Sequence, residues 1–352
     1  MGGMTRLAAV HGALPPHRYR QDELTDLVAQ MCLPAGASRA VLDRIHGNVK
    51  VDTRHLALPL AQYAQLDGFS STNDTFIEAG LDLAEQAVSD ALAAAGIRPD
   101  QVDLIISVSV TGIATPSLEA RLAPRLGLRE DVVRIPVFGL GCVAGATGIA
   151  LLADFLRGRP DGVAVLVAVE LCSLTVQRGD MSIANLVASG LFGDGAAAVV
   201  AVGAQRAEPG PEVVAARSRL YPATERVMGW RIGEHGFQVV LAHDVADVVG
   251  QYLADDVDGF LAEHNLVRAD IAAWVCHPGG PKVLEAVQGC LGLGPDALAI
   301  TWRSLAAVGN MSSVSVLHVL QDTIAAKPPA GRFGMLLAMG PGFCSQLVLL
   351  RW

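Results

Sequence analysis

Val102-Asp103-Leu104-Ile105-Ile106-Ser107-Val108-Ser109-Val110 is a mostly apolar run rich in β-branched residues, a composition typical of a β-strand. Residues 162–169 form a second run of the same kind, and a helix-like stretch, residues 74–95, precedes both. Strands that are apolar along nearly their whole length, rather than at alternate positions, are usually covered on both faces. The pattern therefore predicts an α/β fold in which helices lie on both sides of a sheet.

The two halves of the chain repeat one series of turns. A glycine-led turn into an apolar helix occurs at Cys142 and recurs at Asn310. Each follows a strand-ending turn, which lies 31 residues earlier at Thr111 in the first half and 33 residues earlier at His277 in the second. The repeat predicts an internal duplication, with the nucleophile on one half and its assistants on the other. The predicted halves are residues 1–208 and 209–352.

Composition and charge narrow the range of functions. The chain has 352 residues, of which 51% are hydrophobic and 17% charged, so it can bury a large core. Its formal net charge of -9 and its scattered basic residues argue against nucleic acid as a partner. Its six cysteines lie far apart, with no CxxC pair, and therefore predict neither a disulfide framework nor a zinc site.

Two uncharged stretches, residues 135–153 and 333–350, are long enough to raise the question of a membrane span. Both contain several glycines and a proline, which is typical of a strand, a tight turn and a second buried element. We therefore expect no membrane span. The first residues lack a basic segment followed by an apolar core, so we expect no signal peptide and a cytoplasmic location.

Cys142 is placed to act as a nucleophile, because it follows glycines at the start of an apolar helical stretch. A helix N-terminus favours a thiolate, and His277 could stabilise that thiolate as an imidazolium partner. His277 and Asn310 also each offer a hydrogen-bond donor, and two donors that converge on one carbonyl oxygen form an oxyanion hole. No Asp or Glu lies within these three motifs, which favours loss of CO2 over deprotonation as the source of a carbanion.

Five motifs together resemble the type III polyketide synthases, the chalcone-synthase-like enzymes, over nearly the full chain. They are Gly141-Cys142-Val143-Ala144-Gly145, Leu191-Phe192-Gly193-Asp194-Gly195-Ala196, His277-Pro278-Gly279-Gly280-Pro281, Gly309-Asn310-Met311-Ser312-Ser313 and Gly340-Pro341-Gly342-Phe343. The resemblance implies a thiolase-type duplicated αβαβα layered fold, a homodimer, and acyl-CoA and malonyl-CoA as substrates without a bound cofactor. It also implies that Cys142 carries the growing chain while His277 and Asn310 support decarboxylation and condensation.

The same resemblance places further side chains around the substrate. Phe192 falls at the family's gatekeeper position between the coenzyme A tunnel and the acyl cavity. Val239 stands where plant members have a second phenylalanine, and Val110 where chalcone synthases have threonine, so we expect a wider and more apolar pocket. The basic coenzyme A cluster is retained only in part, since Asn48 replaces one lysine. The expected substrate-binding residues are Phe192, Val110, Thr175, Val239, Ser312, Arg44 and Arg54.

The apolar Val110 and the small Val239 favour a fatty-acyl starter, extended with malonyl-CoA and cyclised to an alkylpyrone or alkylresorcinol. The main alternative is a 1,3,6,8-tetrahydroxynaphthalene synthase that uses only malonyl-CoA, although some of these enzymes have an additional cysteine near Val110 that this chain lacks. A ketoacyl synthase III that depends on acyl carrier protein shares the Cys-His-Asn set but would need a basic docking patch. A cysteine hydrolase uses the same three residue types.

Overall fold

The computed structural model describes residues 4–34 and 36–352 of the chain. Its strands are β1 (Arg6–Ala13), β2 (His17–Arg20), β3 (Thr53–Leu56), β4 (Leu104–Ser109), β5 (Val133–Phe138), β6 (Val163–Leu171), β7 (Asp194–Val202), β8 (Glu212–Leu220), β9 (Met228–Gly233), β10 (Gly236–Leu241), β11 (Ile271–Cys276), β12 (Phe333–Gly340) and β13 (Cys344–Arg351). Its α-helices are α1 (Gln21–Cys32), α2 (Ala40–Asn48), α3 (Leu60–Tyr63), α4 (Gly68–Ala95), α5 (Leu118–Leu126), α6 (Ala144–Arg157), α7 (Ile183–Leu191), α8 (Val245–Glu263), α9 (Pro281–Leu291), α10 (Ala299–Val308) and α11 (Ser313–Ala325).

The main sheet consists of two parts that share one strand order, apart from the additional edge strand β5 in the first part. Across the described residues the first part runs β5-β4-β6-β7-β1 and the second runs β11-β12-β13-β8. β5, β4 and β6 are parallel, as are β11 and β12, whereas the other neighbours in each part are antiparallel. The two parts meet where Arg6 of β1 pairs with Glu212 of β8. This repeat confirms the duplicated fold that the sequence predicts.

The layers follow from the side chains that each strand buries. Every residue of β6 is buried. Its valines, such as Val165 and Val167, pack in the outer core with α4, whereas Leu166 packs in the inner core with α6 and α11. On the far side, α8 and α9 cover the second part of the sheet. The order of layers is therefore αβαβα, as expected for a thiolase-type fold.

The two central helices, α6 and α11, approach each other closely. A β-carbon on Gly145 of α6 would collide with the backbone carbonyl oxygen of Ser313 at the start of α11, so this position requires glycine. The contact places the N-termini of the two helices side by side. As a result Cys142, just before α6, lies next to Ser312, just before α11.

Both uncharged stretches combine a strand with a second buried element. Residues 135–153 cover most of β5 and the first turns of α6, and residues 333–350 cover β12 and most of β13. Among the helices of the described chain, none is long and apolar enough to cross a membrane. The interpretation of each stretch as a strand followed by a further element is confirmed, although β5 itself is largely exposed. The boundary at residue 208 falls between β7 and β8, and we keep the halves 1–208 and 209–352 as a proposed division.

Candidate active site

Cys142, His277 and Asn310 each lie at the end of a regular element. Cys142 is in a 3-10 turn that leads into α6, His277 directly follows β11, and Asn310 lies between α10 and α11. Their exposed fractions are 7%, 5% and 1%, so all three are enclosed by protein. The N–H of His277 donates to the carbonyl of Leu337 at 2.8 Å, which ties the residue to β12. The fold therefore holds these side chains on well-anchored backbone.

Ser312 connects the thiol of Cys142 to the amide of Asn310. Cys142 Sγ lies 3.6 Å from Ser312 Oγ, and the N–H of Ser312 donates to Asn310 Oδ1 at 2.8 Å. Because the amide oxygen is held in this way, the NH2 group of Asn310 is directed away and is left as a donor. Ser312 has a φ of 48°, a left-handed conformation that costs a non-glycine residue about 1–3 kcal/mol. The surrounding contacts must therefore hold this turn in a strained conformation.

Burial determines the charge of Cys142 and His277. It raises the pKa of Cys142 to about 12 and lowers the pKa of His277 to about 3, because a charge enclosed by protein loses its hydration. Both groups are therefore neutral at pH 7. Neither ring nitrogen of His277 has a hydrogen-bond partner within residues 4–34 and 36–352. The thiolate–imidazolium pair expected from the sequence is not formed in this structure, in which the thiol contacts Ser312 instead.

Glu170 is a residue near the site that the motifs did not reveal. It lies near the end of β6 and is fully buried, which raises the pKa of its carboxyl. The carboxyl accepts hydrogen bonds from the N–H of Val110 at 3.0 Å, and from the hydroxyls of Thr111 at 2.9 Å and Ser313 at 2.5 Å. In the sequence, Glu170 could have been singled out as one acidic residue in a strand that is otherwise apolar.

These contacts qualify the inference drawn from the lack of acids in the three motifs. A carboxyl group does lie beside the site, since Glu170 accepts a hydrogen bond from Ser313, the residue directly after Ser312. Both oxygens of Glu170 are, however, occupied by donors from the protein. Glu170 is therefore better suited to hold the surrounding turns than to remove a proton from substrate.

The two arginines expected to contact coenzyme A lie in different environments. Arg44 is exposed on α2 and stays a predicted phosphate contact. Arg54 is only 3% exposed, and its Nη1 donates to the carbonyl oxygens of Ser189 and Phe192, at 2.7 Å each. The prediction for Arg54 is wrong, because a buried guanidinium that is bonded to two carbonyls is not available to a phosphate. Sequence position alone did not distinguish a buried arginine from an exposed one.

Phe192 and Cys172 line a largely apolar cavity against α1. Phe192 is half-buried and pairs through its backbone with Asn310, so the predicted gatekeeper lies next to the predicted oxyanion residue. Cys172 is buried in the cavity wall. Thr175 is half-buried at the end of a second 3-10 turn, Cys172–Thr175, where its hydroxyl donates to the carbonyl of Cys172 at 2.8 Å. The roles of these side chains toward substrate stay predictions.

Val239 has a large neighbour that the sequence did not reveal. It lies on β10 directly opposite Trp230 on β9, and opposite residues of an antiparallel pair share one face. The Trp230 ring also lies 5.9 Å from that of Phe237. Val239 and Trp230 are therefore neighbours on one face of the hairpin, and the bulk of the tryptophan weakens the argument that a small residue here widens the pocket. Val110 is buried, as expected for an apolar wall.

Comparisons with known proteins agree with this geometry. Residues 1–206 match the family described as chalcone and stilbene synthases, N-terminal domain, and residues 212–352 match its C-terminal domain. The chain is 57% identical over 352 residues to the 1,3,6,8-tetrahydroxynaphthalene synthase of Streptomyces peucetius subsp. caesius, covering 99% of this chain and 93% of that relative. It is 33% identical over 362 residues to a putative chalcone synthase of Bacillus subtilis, covering 99% of each.

A solved structure matches the same length of chain. The 1,3,6,8-tetrahydroxynaphthalene synthase of Streptomyces coelicolor A3(2), a bacterial type III polyketide synthase, superposes with a TM-score of 0.93 at 29% identity and 99% coverage of both chains. The family matches extend over both halves of the duplicated fold. The chain thus belongs to the chalcone and stilbene synthase family, and it is a type III polyketide synthase, an acyltransferase that joins acyl units by decarboxylating condensation.

Proposed function

We propose that the enzyme is a 1,3,6,8-tetrahydroxynaphthalene synthase that takes malonyl-CoA for every unit of its product. The observation that carries this proposal is the 57% identity, over 99% of the chain, with an enzyme of that name. The preference for a fatty-acyl starter depended on Val110 and Val239, and Val239 faces Trp230. The alternative that uses malonyl-CoA alone is therefore better supported than an alkylpyrone or alkylresorcinol product. Matches to both chalcone and stilbene synthase domains leave a ketoacyl synthase III without support.

In this proposal Cys142 loads the first unit. Its sulfur attacks the thioester carbonyl of malonyl-CoA, and the thiol must lose its proton as the carbon–sulfur bond forms, because burial keeps the thiol neutral beforehand. His277 is neutral at pH 7, so a ring nitrogen can accept that proton and return it to the departing coenzyme A thiolate. Coenzyme A thioesters are cytoplasmic metabolites, so a cytoplasmic location is part of the proposal.

His277 and Asn310 then act on each extending malonyl-CoA. Loss of CO2 leaves an enolate whose negative charge lies on the thioester oxygen, and the imidazole N–H and the Asn310 amide can both donate to that oxygen. The enolate carbon attacks the carbonyl of the acyl-Cys142 thioester, which releases the sulfur as a thiolate and leaves the chain, longer by two carbons, as a coenzyme A thioester. Before the next extension Cys142 attacks that thioester, so the chain returns to the sulfur and coenzyme A departs. Five malonyl units supply the ten carbons of a naphthalene. Four CO2 leave during extension and the fifth comes from the carboxyl group of the first unit, so that ring closure yields one product with five CO2, five coenzyme A and one water.

We also propose that two copies of the chain associate through β5. Within the described residues β5 is an edge strand, paired with β4 on one side. Val133, Ile135 and Phe138 on this strand are 41%, 37% and 48% exposed. An apolar edge strand is a liability in a monomer, and a twofold axis can pair the same strand of two copies antiparallel. These features support a homodimer in which the two sheets are continuous.

With malonyl-CoA as sole substrate, the purified enzyme should release tetrahydroxynaphthalene, because every carbon is expected to come from malonyl units. Uniformly ¹³C-labelled malonyl-CoA should label all ten carbons of the product, which mass spectrometry measures. Added long-chain acyl-CoA should not raise the rate, and Cys142→Ala should form no product. A main product that keeps an unlabelled acyl chain would instead establish the fatty-acyl reading.

The oxyanion role of His277 and Asn310 can be tested apart from loading. Cys142→Ala should still convert malonyl-CoA to acetyl-CoA and CO2, whereas adding Asn310→Ala should slow this about 10²–10³-fold through loss of one donor. Burial lowers the pKa of His277 to about 3, so its imidazole stays neutral and the Cys142→Ala rate should be flat from pH 5 to pH 8. A rate that falls as pH rises through 6 to 7 would show that imidazolium is required. Equal rates in the single and double variants would remove Asn310 from the mechanism.

The dimer proposal predicts a change of mass on mutation of β5. Ile135→Asp together with Phe138→Asp should convert a two-copy particle to single copies, because carboxylates from both copies would be buried at the interface without an opposite charge. Sedimentation velocity measures the particle mass. Val267→Lys, which changes an exposed apolar residue in the turn before β11, should leave the mass unaltered. A wild-type protein that sediments as one copy at micromolar concentration would contradict the proposal.

A further inference from the structure

We propose that Arg54 is a positioning residue for the reaction, which holds Asn310 and Phe192 in place by capping the C-terminus of α7. The inference rests on the oxyanion role proposed for Asn310. It replaces the coenzyme A contact that the sequence suggested for Arg54. Three observations support it: the partners of the guanidinium, the packing of the aliphatic stem, and the backbone bridge that joins α7 to Asn310.

The last carbonyls of an α-helix have no partner within the helix and must be satisfied from outside. At the end of α7 these carbonyl groups are buried, and Arg54 of β3, Gln21 of α1 and the backbone of Asn310 donate hydrogen bonds to them. A cation is favoured at this end of a helix because the helix dipole is negative there. The bonds are from Arg54 to the carbonyls of Ser189 and Phe192 at 2.7 Å each, from Gln21 to that of Gly190 at 2.8 Å, and from the backbone of Asn310 to that of Leu191 at 2.9 Å.

The stem of Arg54 packs against the glycine that precedes Asn310. A β-carbon on Gly309 would lie 3.1 Å from both Cγ and Cδ of Arg54, and Gly309 has a φ of 72°. A β-carbon on Gly193 would lie 3.6 Å from Cγ of the same arginine. Arg54 therefore touches both chain segments that form the bridge, and both are glycine where the stem approaches.

The bridge itself transmits the position of α7 to the site. The N–H of Asn310 donates to the carbonyl of Leu191 at 2.9 Å, and the N–H of Gly193 donates to the carbonyl of Asn310 at 3.0 Å. Without Arg54, the carbonyls of Ser189 and Phe192 would be buried without a donor, so the end of α7 would move to satisfy them. A misplacement of about 1 Å in a catalytic group can cost about 10²-fold in rate.

The test compares Arg54→Met, which keeps the stem but removes the donors, with Arg54→Lys, which keeps one charged donor. Decarboxylation of malonyl-CoA and the slow phase of Cys142 alkylation by iodoacetamide are measured on the same preparation. The kcat is scaled to the folded fraction given by urea unfolding, because unfolded molecules are alkylated fast and do not decarboxylate. Arg54→Met should lower the decarboxylation kcat about 10- to 100-fold relative to alkylation. Arg54→Lys should recover part of the loss, and Arg98→Met, at an exposed arginine, should change neither rate.

Malonyl-pantetheine, which lacks the nucleotide phosphates, separates positioning from phosphate binding. The positioning role predicts the same loss with malonyl-CoA and malonyl-pantetheine. A raised KM for malonyl-CoA alone, with kcat unchanged, would restore the phosphate contact and overturn the proposal. Decarboxylation and alkylation that fall by the same factor would reduce Arg54 to a purely structural residue and would also overturn it.

A double-mutant cycle tests whether Arg54 acts through Asn310. In the Asn310→Ala background, Arg54→Met should lower decarboxylation little further, because the amide that it positions is already gone. If the two substitutions together slow decarboxylation by the product of their separate factors, the inference is contradicted. Decarboxylation is required for any polyketide product, so a wild-type enzyme that makes no tetrahydroxynaphthalene would end that proposal and leave this test valid.

Discussion

Two backbone hydrogen bonds between the end of α7 and Asn310 join the half that carries the cysteine to the half that carries the histidine and asparagine. They run from Asn310 to Leu191 and from Gly193 to Asn310, at 2.9 and 3.0 Å. Because backbone groups form both hydrogen bonds, the bridge fixes the backbone of Asn310 whichever contacts its side chain makes. The close approach of α6 and α11 performs the corresponding task for Cys142 and Ser312. A duplicated fold thus assembles one site from two distant segments.

Burial is the second constraint on this site. Cys142, His277 and Glu170 are all enclosed, and for each of them burial shifts the pKa toward the neutral form. A neutral imidazole suits an enzyme that must stabilise an enolate, since an N–H donor is needed and, because CO2 is lost, no base has to remove a proton from the extending unit. The surrounding structure holds Ser312 in a strained conformation, and Arg54 bonds the end of α7, so the segments on both sides of Asn310 are fixed as the proposed oxyanion site requires.

Much of this organisation could be predicted from sequence. Continuous apolar strands such as residues 162–169 and the repeated glycine turns predict the layered duplication, because these patterns reflect burial on both faces and tight backbone geometry. Motif spacing identified the family. Features that depend on distant neighbours could not be predicted: the burial of Arg54, the cross-strand contact of Val239 with Trp230, and the contacts of Glu170. The preference for a fatty-acyl starter was the weakest prediction, because it was drawn from Val110 and Val239 without the residues that surround them in the fold.

In the proposed mechanism His277 and Asn310 donate to one substrate oxygen. A crystal structure of Cys142→Ala with a malonyl-CoA analogue in which a sulfonate replaces the carboxylate, so that CO2 cannot be lost, would show the contacts of that oxygen. We expect the thioester oxygen within about 3 Å of both His277 Nε2 and Asn310 Nδ2. A bound analogue whose thioester oxygen contacts neither group, or contacts other donors instead, would refute this mechanism.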